Sequence, residues 1–468
     1  MAVPVAQVAP KPRKFDRSII EGPIGPAVWR IAWPTMLQNV IAGLQGVIDQ
    51  AMVGNFVGAR GNAALGDSWQ IILIVVVFLS SLFTGMGVLV ARFAGANQPE
   101  RVNRVVYQAF LTAFGLSVVL ATIGYFAAPF LLDIINAAPE VQHEALPFLR
   151  AMFMGIFGMM MFFMLSGAFR AAGDAHTPLR LGVSMTILTI CFNVILIPKF
   201  GTVGAAFGTI ASSSTVAVYG MWRLTRPSSV IHFERGMDHS VDFTIIRSLF
   251  KFGLPTGVQG IAMNVGGVLM LRFIGSLEQS AAAQAAYAVC YTQLFSLITW
   301  TSNGLLGAAA TIAGQNLGAG SADRAVEGVR VASRIGLGAA AAVGLIFVAA
   351  PKLLLAIFGM KDPVVLSLAQ QLLVYLSVSG LFITVALSYT GGLQGTGDTR
   401  SPLYISVISQ VIVPLGLCSI FQATKGLQPT DIWMAIVIGH MTRCTLSWMR
   451  FRQGKWRSIR VDIEHARP

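Results

Sequence analysis

Residues 67–93, DSWQIILIVVVFLSSLFTGMGVLVARF, form an apolar run long enough to cross a bilayer, and runs of about 18–28 residues like it recur along the chain. In hydrocarbon no water meets a bare N–H or C=O, so only helices and closed barrels can span it. An outer-membrane barrel would show alternating strands of about ten residues. These runs are continuous and of helical length, so the sequence reads as an all-α polytopic membrane protein. Composition agrees: 55% of the 468 residues are hydrophobic and 11% charged, against about 25% charged in soluble domains.

Twelve candidate transmembrane helices follow, at roughly 30–55, 68–92, 105–128, 147–170, 179–199, 203–223, 248–274, 283–312, 333–357, 366–392, 402–421 and 430–450. An even count puts both termini on one side. If that side is the cytoplasm, only Arg60, Arg150, Lys199, Arg272, Lys352, Lys361 and Lys425 lie outside, 7 of the 33 Lys and Arg. The positive-inside rule therefore favours cytoplasmic N- and C-termini in the inner membrane. The net charge of +13 sits in loops under the same rule, so no nucleic-acid partner is expected. Cys191, Cys290, Cys418 and Cys444 are scattered among the spans and read as small core residues, not as a disulfide or metal framework.

The chain repeats itself. AGANQPER at 94–101 and LGAGSADR at 317–324 each follow a span, at an offset of 223. GAFRAAGDAHTP at 167–178 and GGLQGTGDTRSP at 391–402 share Gly-Asp-x-x-x-Pro at an offset of 224. Pro34 and Pro255 open the first and seventh spans at an offset of 221. Two pseudo-symmetric six-helix bundles are expected, as parallel repeats with the substrate path between them. The expected organisation is a cytoplasmic tail at 1–28, one bundle at 29–223, a polar cytoplasmic linker at 224–247, the second bundle at 248–450, and a basic cytoplasmic tail at 451–468. Asp174 and Asp398 in the Gly-Asp loops are expected to cap the helices that follow.

Within the first span, Gln38, Gln45 and Asp49 fall within about 40° of one another on a helix. A carboxylate at this depth costs about 2.5–3.5 kcal/mol on insertion scales, which makes it a functional-site candidate. The glutamines are candidates for the same cavity, or for bonding between helices. Tyr287 and Tyr291 share a helix face, as do Phe382 and Tyr389; such faces could hold a lipophilic cation or simply pack. Met159, Met160, Met161 and Met164 could supply an adaptable wall. Asp49 is the one mid-membrane charge visible in the sequence, which suits a cationic cargo.

The Pro-bearing first helix ending in Asp49-x-x-x-x-Gly54, the Gly-Ala…Glu-Arg loop and the Gly-Asp-x-x-x-Pro loop, in this order on a duplicated twelve-span chain, resemble the multidrug and toxic compound extrusion (MATE) family. The resemblance implies two bundles in a V with alternating access. It further implies secondary active efflux of small organic compounds, often cations, by antiport against H⁺ or Na⁺. It implies a cation-coupling role for Asp49 and Asn193, with Na⁺ as one possible ion there. One branch carries a second aspartate four residues after the asparagine; here Ile197 occupies that place. Another places acids in helices 7 and 10; here span 7 offers Gln259 and Asn264, which join Gln38, Gln45, Tyr287, Tyr291, Phe382 and Tyr389 as substrate-cavity candidates.

No Gly-x-x-x-x-Gly-Lys-Ser/Thr loop or His-Glu-x-x-His motif is present, so neither a built-in ATPase nor a zinc hydrolase is expected. The reading is a transporter and not an enzyme, without cofactor beyond the coupling ion. Its expected partners are small organic cations and membrane lipid, and its expected state is a monomer. The rival readings are a flippase for a lipid-linked or polysaccharide precursor and, more remotely, a membrane-embedded enzyme.

Overall fold

The structure, a computed structural model, describes residues 15–134, 139–227, 229–233 and 236–461. Among these residues it is helical, without strands, and its long helices make twelve successive spans. The first bundle holds α1 (Ile24–Phe56), α2 (Ala59–Gly95), α3 (Pro99–Ile134), α4 (Pro139–Met154 continued by Ile156–Ala171), α5 (His176–Phe200) and α6 (Thr202–Leu224). The second holds α7 (Phe243–Gly275), α8 (Ser280–Tyr287 through Ser296–Gly318), α9 (Ala322–Ala349, with Pro351–Ile357 beyond it), α10 (Pro363–Gly395), α11 (Arg400–Val407 through Val413–Thr424) and α12 (Pro429–Arg452).

Seven of these, or eight with bent α4, are apolar and long enough by themselves to cross a membrane. The other four, α1, α6, α8 and α12, are diluted by polar residues they turn inward, such as Asp49, Ser212, Gln315 and Arg443. Phe126, Val218 and Leu345 are at least two-thirds exposed. Apolar surface on that scale requires lipid to cover it.

α4 bends by 52° at Gly155. α8 and α11 each relax into a π-helical turn, at Ala288–Leu294 and Ile408–Ile412. The first helix starts at Ile24, earlier than the sequence reading placed it, and is preceded by a short helix, Ser18–Glu21. Of the expected tails, residues 1–14 and 462–468 lie outside the described residues, as do 228, 234 and 235 of the linker.

The repeat motifs adopt matching shapes. Asp174 accepts from the Thr177 N–H at 3.0 Å and its hydroxyl at 2.6 Å. Asp398 accepts from the Ser401 N–H at 3.2 Å and its hydroxyl at 2.9 Å. The glycine before each, Gly173 and Gly397, has φ of +96° and +97°, a left-handed turn that side chains resist. Each aspartate thus supplies an acceptor to a helix start with unmet N–H groups. Cys290 and Cys418 are buried, whereas Cys191 is exposed, and all four cysteines are free.

The bundles meet through α1, α2, α7 and α8, with α2 on α7 and α8 on α1 as equivalent pairs. Backbone touches backbone at these crossings. A Cβ on Gly95 would lie 2.0 Å from the Gln315 carbonyl oxygen, and one on Gly318 would lie 2.1 Å from that of Arg92. The two contacts exchange under the 223-residue offset, so they are one contact made twice. Toward the face away from the termini, Leu44, Val47 and Phe56 on α1 and Val265 and Val268 on α7 are exposed, as the arms of a V require.

The face bearing both chain ends is sealed by cross-bundle bonds. The Thr35 hydroxyl donates to Gly304 O at 3.0 Å, and Gln315 Nε2 to Ala171 O at 2.8 Å. Arg324 donates to the Ile19 and Gly22 carbonyls. Arg92 donates to the Ile459 carbonyl, while Arg457 pairs with Asp323 at 2.7 Å within the second half of the chain.

Gly95→Ala is expected to destabilise the protein by about 1–3 kcal/mol through overpacking. Gly66→Ala, where an added Cβ meets nothing within 4 Å, should stay within about 0.5 kcal/mol of the parent. Thermal unfolding of both variants in one detergent would check the contrast.

Candidate functional site

Helices α1 and α5 run side by side in the first bundle, and their facing polar residues meet in steps. Gln38 lies over Gly182, where a Cβ would stand 3.3 Å from its Cγ. One level on, Gln45 Oε1 accepts from the Thr186 hydroxyl at 2.9 Å, and Gln45 Nε2 approaches Thr189 Oγ1 at 3.4 Å. At the next level Asn193 Nδ2 donates to Asp49 Oδ1 at 2.9 Å. Both residues are buried, Asp49 to 6% exposure and Asn193 fully. Thr189 in turn shares a 2.6 Å hydrogen bond with Ser212 of α6.

The Asp49 site depends on close helix packing. A Cβ at Gly208 of α6 would stand 1.9 Å from Asn193 Oδ1, so only glycine lets α6 close behind the amide. That Oδ1 is buried and makes no hydrogen bond among the described residues. The site therefore offers a carboxylate and a spare amide oxygen, a donor set suited to a proton or a hard cation.

Asp49 opens onto a cavity of about 280 Å³ inside the first bundle. Gln38, Gln45 and Asp49 line it from α1, Thr186 from α5, and Ser166 and Arg170 from α4. Gln38 and Asp49 are eleven residues apart on one helix, so it extends about 16 Å along α1. Met159 and Phe163 give it an apolar side. Of the methionine run, Met160, Met161 and Met164 are packed into the core instead.

The second-bundle candidates lie elsewhere. Gln259 is buried, donating to Ser406 Oγ at 2.8 Å and accepting from Gln394 Nε2 at 3.3 Å. Asn264 is exposed and donates to Gly260 O of its own helix at 3.0 Å. Tyr287 is stacked between Tyr291 and Trp433, with centroids at 4.7 and 6.3 Å, and Tyr291 continues the stack to Phe295 at 5.4 Å. Tyr389 meets the Phe451 ring edge-on at 5.5 Å, and Phe382 is half-buried on α10. None of the six lines the Asp49 cavity. Tyr287 and Tyr291 thus have rings stacked on both faces, while Tyr389 makes a single edge-on contact.

Sequence reading missed two cations. Arg170 closes the expected fourth span, and its side chain lines the Asp49 cavity. Arg443 of α12 is 2% exposed, with its Nε unpaired among the described residues. Asp49 is thus not the sole charge at depth. The 224-residue offset pairs Arg170 with Gln394, which was the available signal. His440, also on α12, bonds through Nδ1 to the Ser379 hydroxyl and faces Phe295 at 5.8 Å.

The profile of the MatE family matches residues 34–195 and 255–419, one stretch in each bundle. The chain belongs to this family. It is 23% identical to the probable multidrug resistance protein YoeA of Bacillus subtilis over 421 residues, covering 87% of this chain and 90% of that protein. It is also 23% identical to the probable multidrug resistance protein NorM of Thermotoga maritima, over 91% of this chain and 92% of that one. An outward-facing multidrug resistance MATE transporter superposes with a TM-score of 0.88 at 20% identity, over 96% of this chain and all of that one. A MATE structure in a bent conformation gives 0.85 at 20% identity, over 95% and 99%. This MatE protein is therefore a multi-pass membrane transporter and not an enzyme.

In this MatE transporter, Asn193→Ala should destabilise by about 1–3 kcal/mol, because it strips a buried acceptor of its donor. On an Asp49→Asn background the same change should cost less. A double-mutant cycle on thermal unfolding measures the difference.

Proposed function

We propose that this protein exports small organic compounds, with cations prominent among them, by antiport against H⁺ or Na⁺. The carrying observation is Asp49, in the wall of a cavity whose terminus-bearing side is sealed, with Asn193 bonded to it from behind that wall. Gln38 and Gln45 line the cargo path, and Asp49 with Asn193 is the coupling site. The lobes are read as 29–223 and 248–450, acting as a monomer in the inner membrane with both termini cytoplasmic.

The chemistry follows from one carboxylate serving two ligands. A cationic cargo neutralises Asp49 from the cavity side. A proton or Na⁺ neutralises it just as well, and Asn193 supplies a donor to the carboxylate and an oxygen to the ion. Because the two compete, loading the ion releases cargo. Return to the opposite state must break the seal at Thr35–Gly304 and Gln315–Ala171, and it proceeds only with the acid neutralised, since a bare carboxylate in a closing apolar cavity is costly.

The test is efflux of a fluorescent lipophilic cation from proteoliposomes under an imposed pH or Na⁺ gradient. Asp49→Asn should insert and fold normally and lose gradient-driven efflux. Full-rate transport by the mutant removes Asp49 from the mechanism. Tyr287→Ala is expected to lower thermal stability by about 1–3 kcal/mol, through loss of stacked contacts, and to leave affinity for the cation unchanged.

A second reading, a flippase for a lipid-linked or polysaccharide precursor, draws on Arg170, a cation on the same cavity wall. It predicts translocation of an anionic lipid-linked cargo that survives Asp49→Asn.

A further inference from the structure

The 221- and 224-residue offsets place Gln259 opposite Gln38 and Gln394 opposite Arg170. In the second bundle the equivalent pair satisfies itself, since Gln394 Nε2 donates to Gln259 Oε1 at 3.3 Å. The first bundle carries the same positions in an unsatisfied form. Gln38 Oε1 is buried without a hydrogen bond, and among the described residues the Arg170 guanidinium has neither a hydrogen-bond acceptor nor an acid beside it.

Arg170 also stands at a junction. It and Phe83 line both the Asp49 cavity and a second cavity, of about 120 Å³, between the bundles. Its side chain lies against Gly307 of α8, where a Cβ would stand 3.4 Å from its Nε. Asp49 is the one acid lining either space. Side chains lean toward the N-terminus of their own helix. α1 and α4 run in opposite directions, so Asp49 and Arg170 lean toward each other from opposite ends of one cavity.

A guanidinium facing a low-dielectric space without a counter-charge is a seat for an anion, and its planar fork suits carboxylate, phosphate or sulfonate oxygens. We infer that Arg170 and Gln38 form a subsite for an acidic group, so that the cargo this cavity selects carries an anionic group as well as its cationic centre. Gln38 adds an amide N–H to the anion, and its spare oxygen accepts from a neighbouring N–H or O–H of the same ligand. The inference rests on the efflux reading for its cationic half and adds the anionic half.

A matched dye pair tests it. Rhodamine B is a xanthylium cation with a free carboxylate, and its ethyl ester is the same cation without one. Fluorescence anisotropy on purified protein reads both affinities. Arg170→Gln installs the residue the second bundle already holds at this place, so folding should be retained, and size-exclusion profiles check it. The wild type should prefer rhodamine B over its ester, and Arg170→Gln should cut that preference by about tenfold or more. Arg170→Lys, which keeps the charge without the fork, should fall between. Gln38→Glu, which sets a second carboxylate beside the subsite, should reverse the preference.

An unchanged preference in Arg170→Gln, or no preference in the wild type, overturns the subsite. Asp49→Asn in the same assay separates this from the parent reading. Ester binding that ignores Asp49 counts against the cation site alone, because the dye preference is read without reference to transport.

Discussion

The two bundles touch backbone to backbone, and the rest of the molecule depends on that contact. In lipid, apolar side chains gain nothing by leaving hydrocarbon for hydrocarbon, so helices associate where small residues let their backbones approach. Gly95 against Gln315 and Gly318 against Arg92 make such an approach twice, once in each direction across the pseudo-symmetry axis. With α2 and α8 so close, Gln315 can reach the Ala171 carbonyl. That seal is what turns a gap between helices into a cavity closed at one end.

The pseudo-symmetry of the backbone is not matched by its chemistry. Both bundles use the same aspartate-capped loops, and both place a glutamine one turn beyond the helix proline. The first bundle then adds Asp49, Asn193 and Arg170 around an open cavity. At the Gln38 and Arg170 positions the second bundle has a self-satisfied glutamine pair, and it fills its centre with stacked rings. Duplication supplied two scaffolds. The first kept Gln38 and Arg170 unsatisfied on a cavity wall, and hence a place for ligands, while the second bonded the equivalent pair to each other. Among the described residues, π-helical turns occur in the second bundle alone, at Ala288–Leu294 and Ile408–Ile412, so the scaffolds differ in helix geometry as well.

Much of the fold was legible from the chain. The spans follow from run length, since a bilayer admits only helices of that size. The duplication follows from three motif pairs at nearly one offset. Asp49 stood out because a carboxylate in an apolar run has few cheap explanations. Asn193 was found only by its resemblance to a family position, since one asparagine in an apolar helix carries no periodic signal. Arg170 was hidden because an arginine near a helix end usually snorkels to the interface. Its place on the cavity wall, against Gly307 of α8, is set by helix packing that span length does not reveal.

By itself, the sequence determined the class of solvent, the number of crossings, the internal repeat and the costly acid, because each depends on hydrophobicity or spacing along one chain. Tertiary structure alone decided which polar groups are satisfied. Tyr287, Tyr291 and Gln259 found partners and closed up. Gln38 and Arg170, at positions equivalent to a bonded pair, did not. Helical periodicity says which face a residue occupies, but satisfaction depends on what a helix from a distant part of the chain presents to that face.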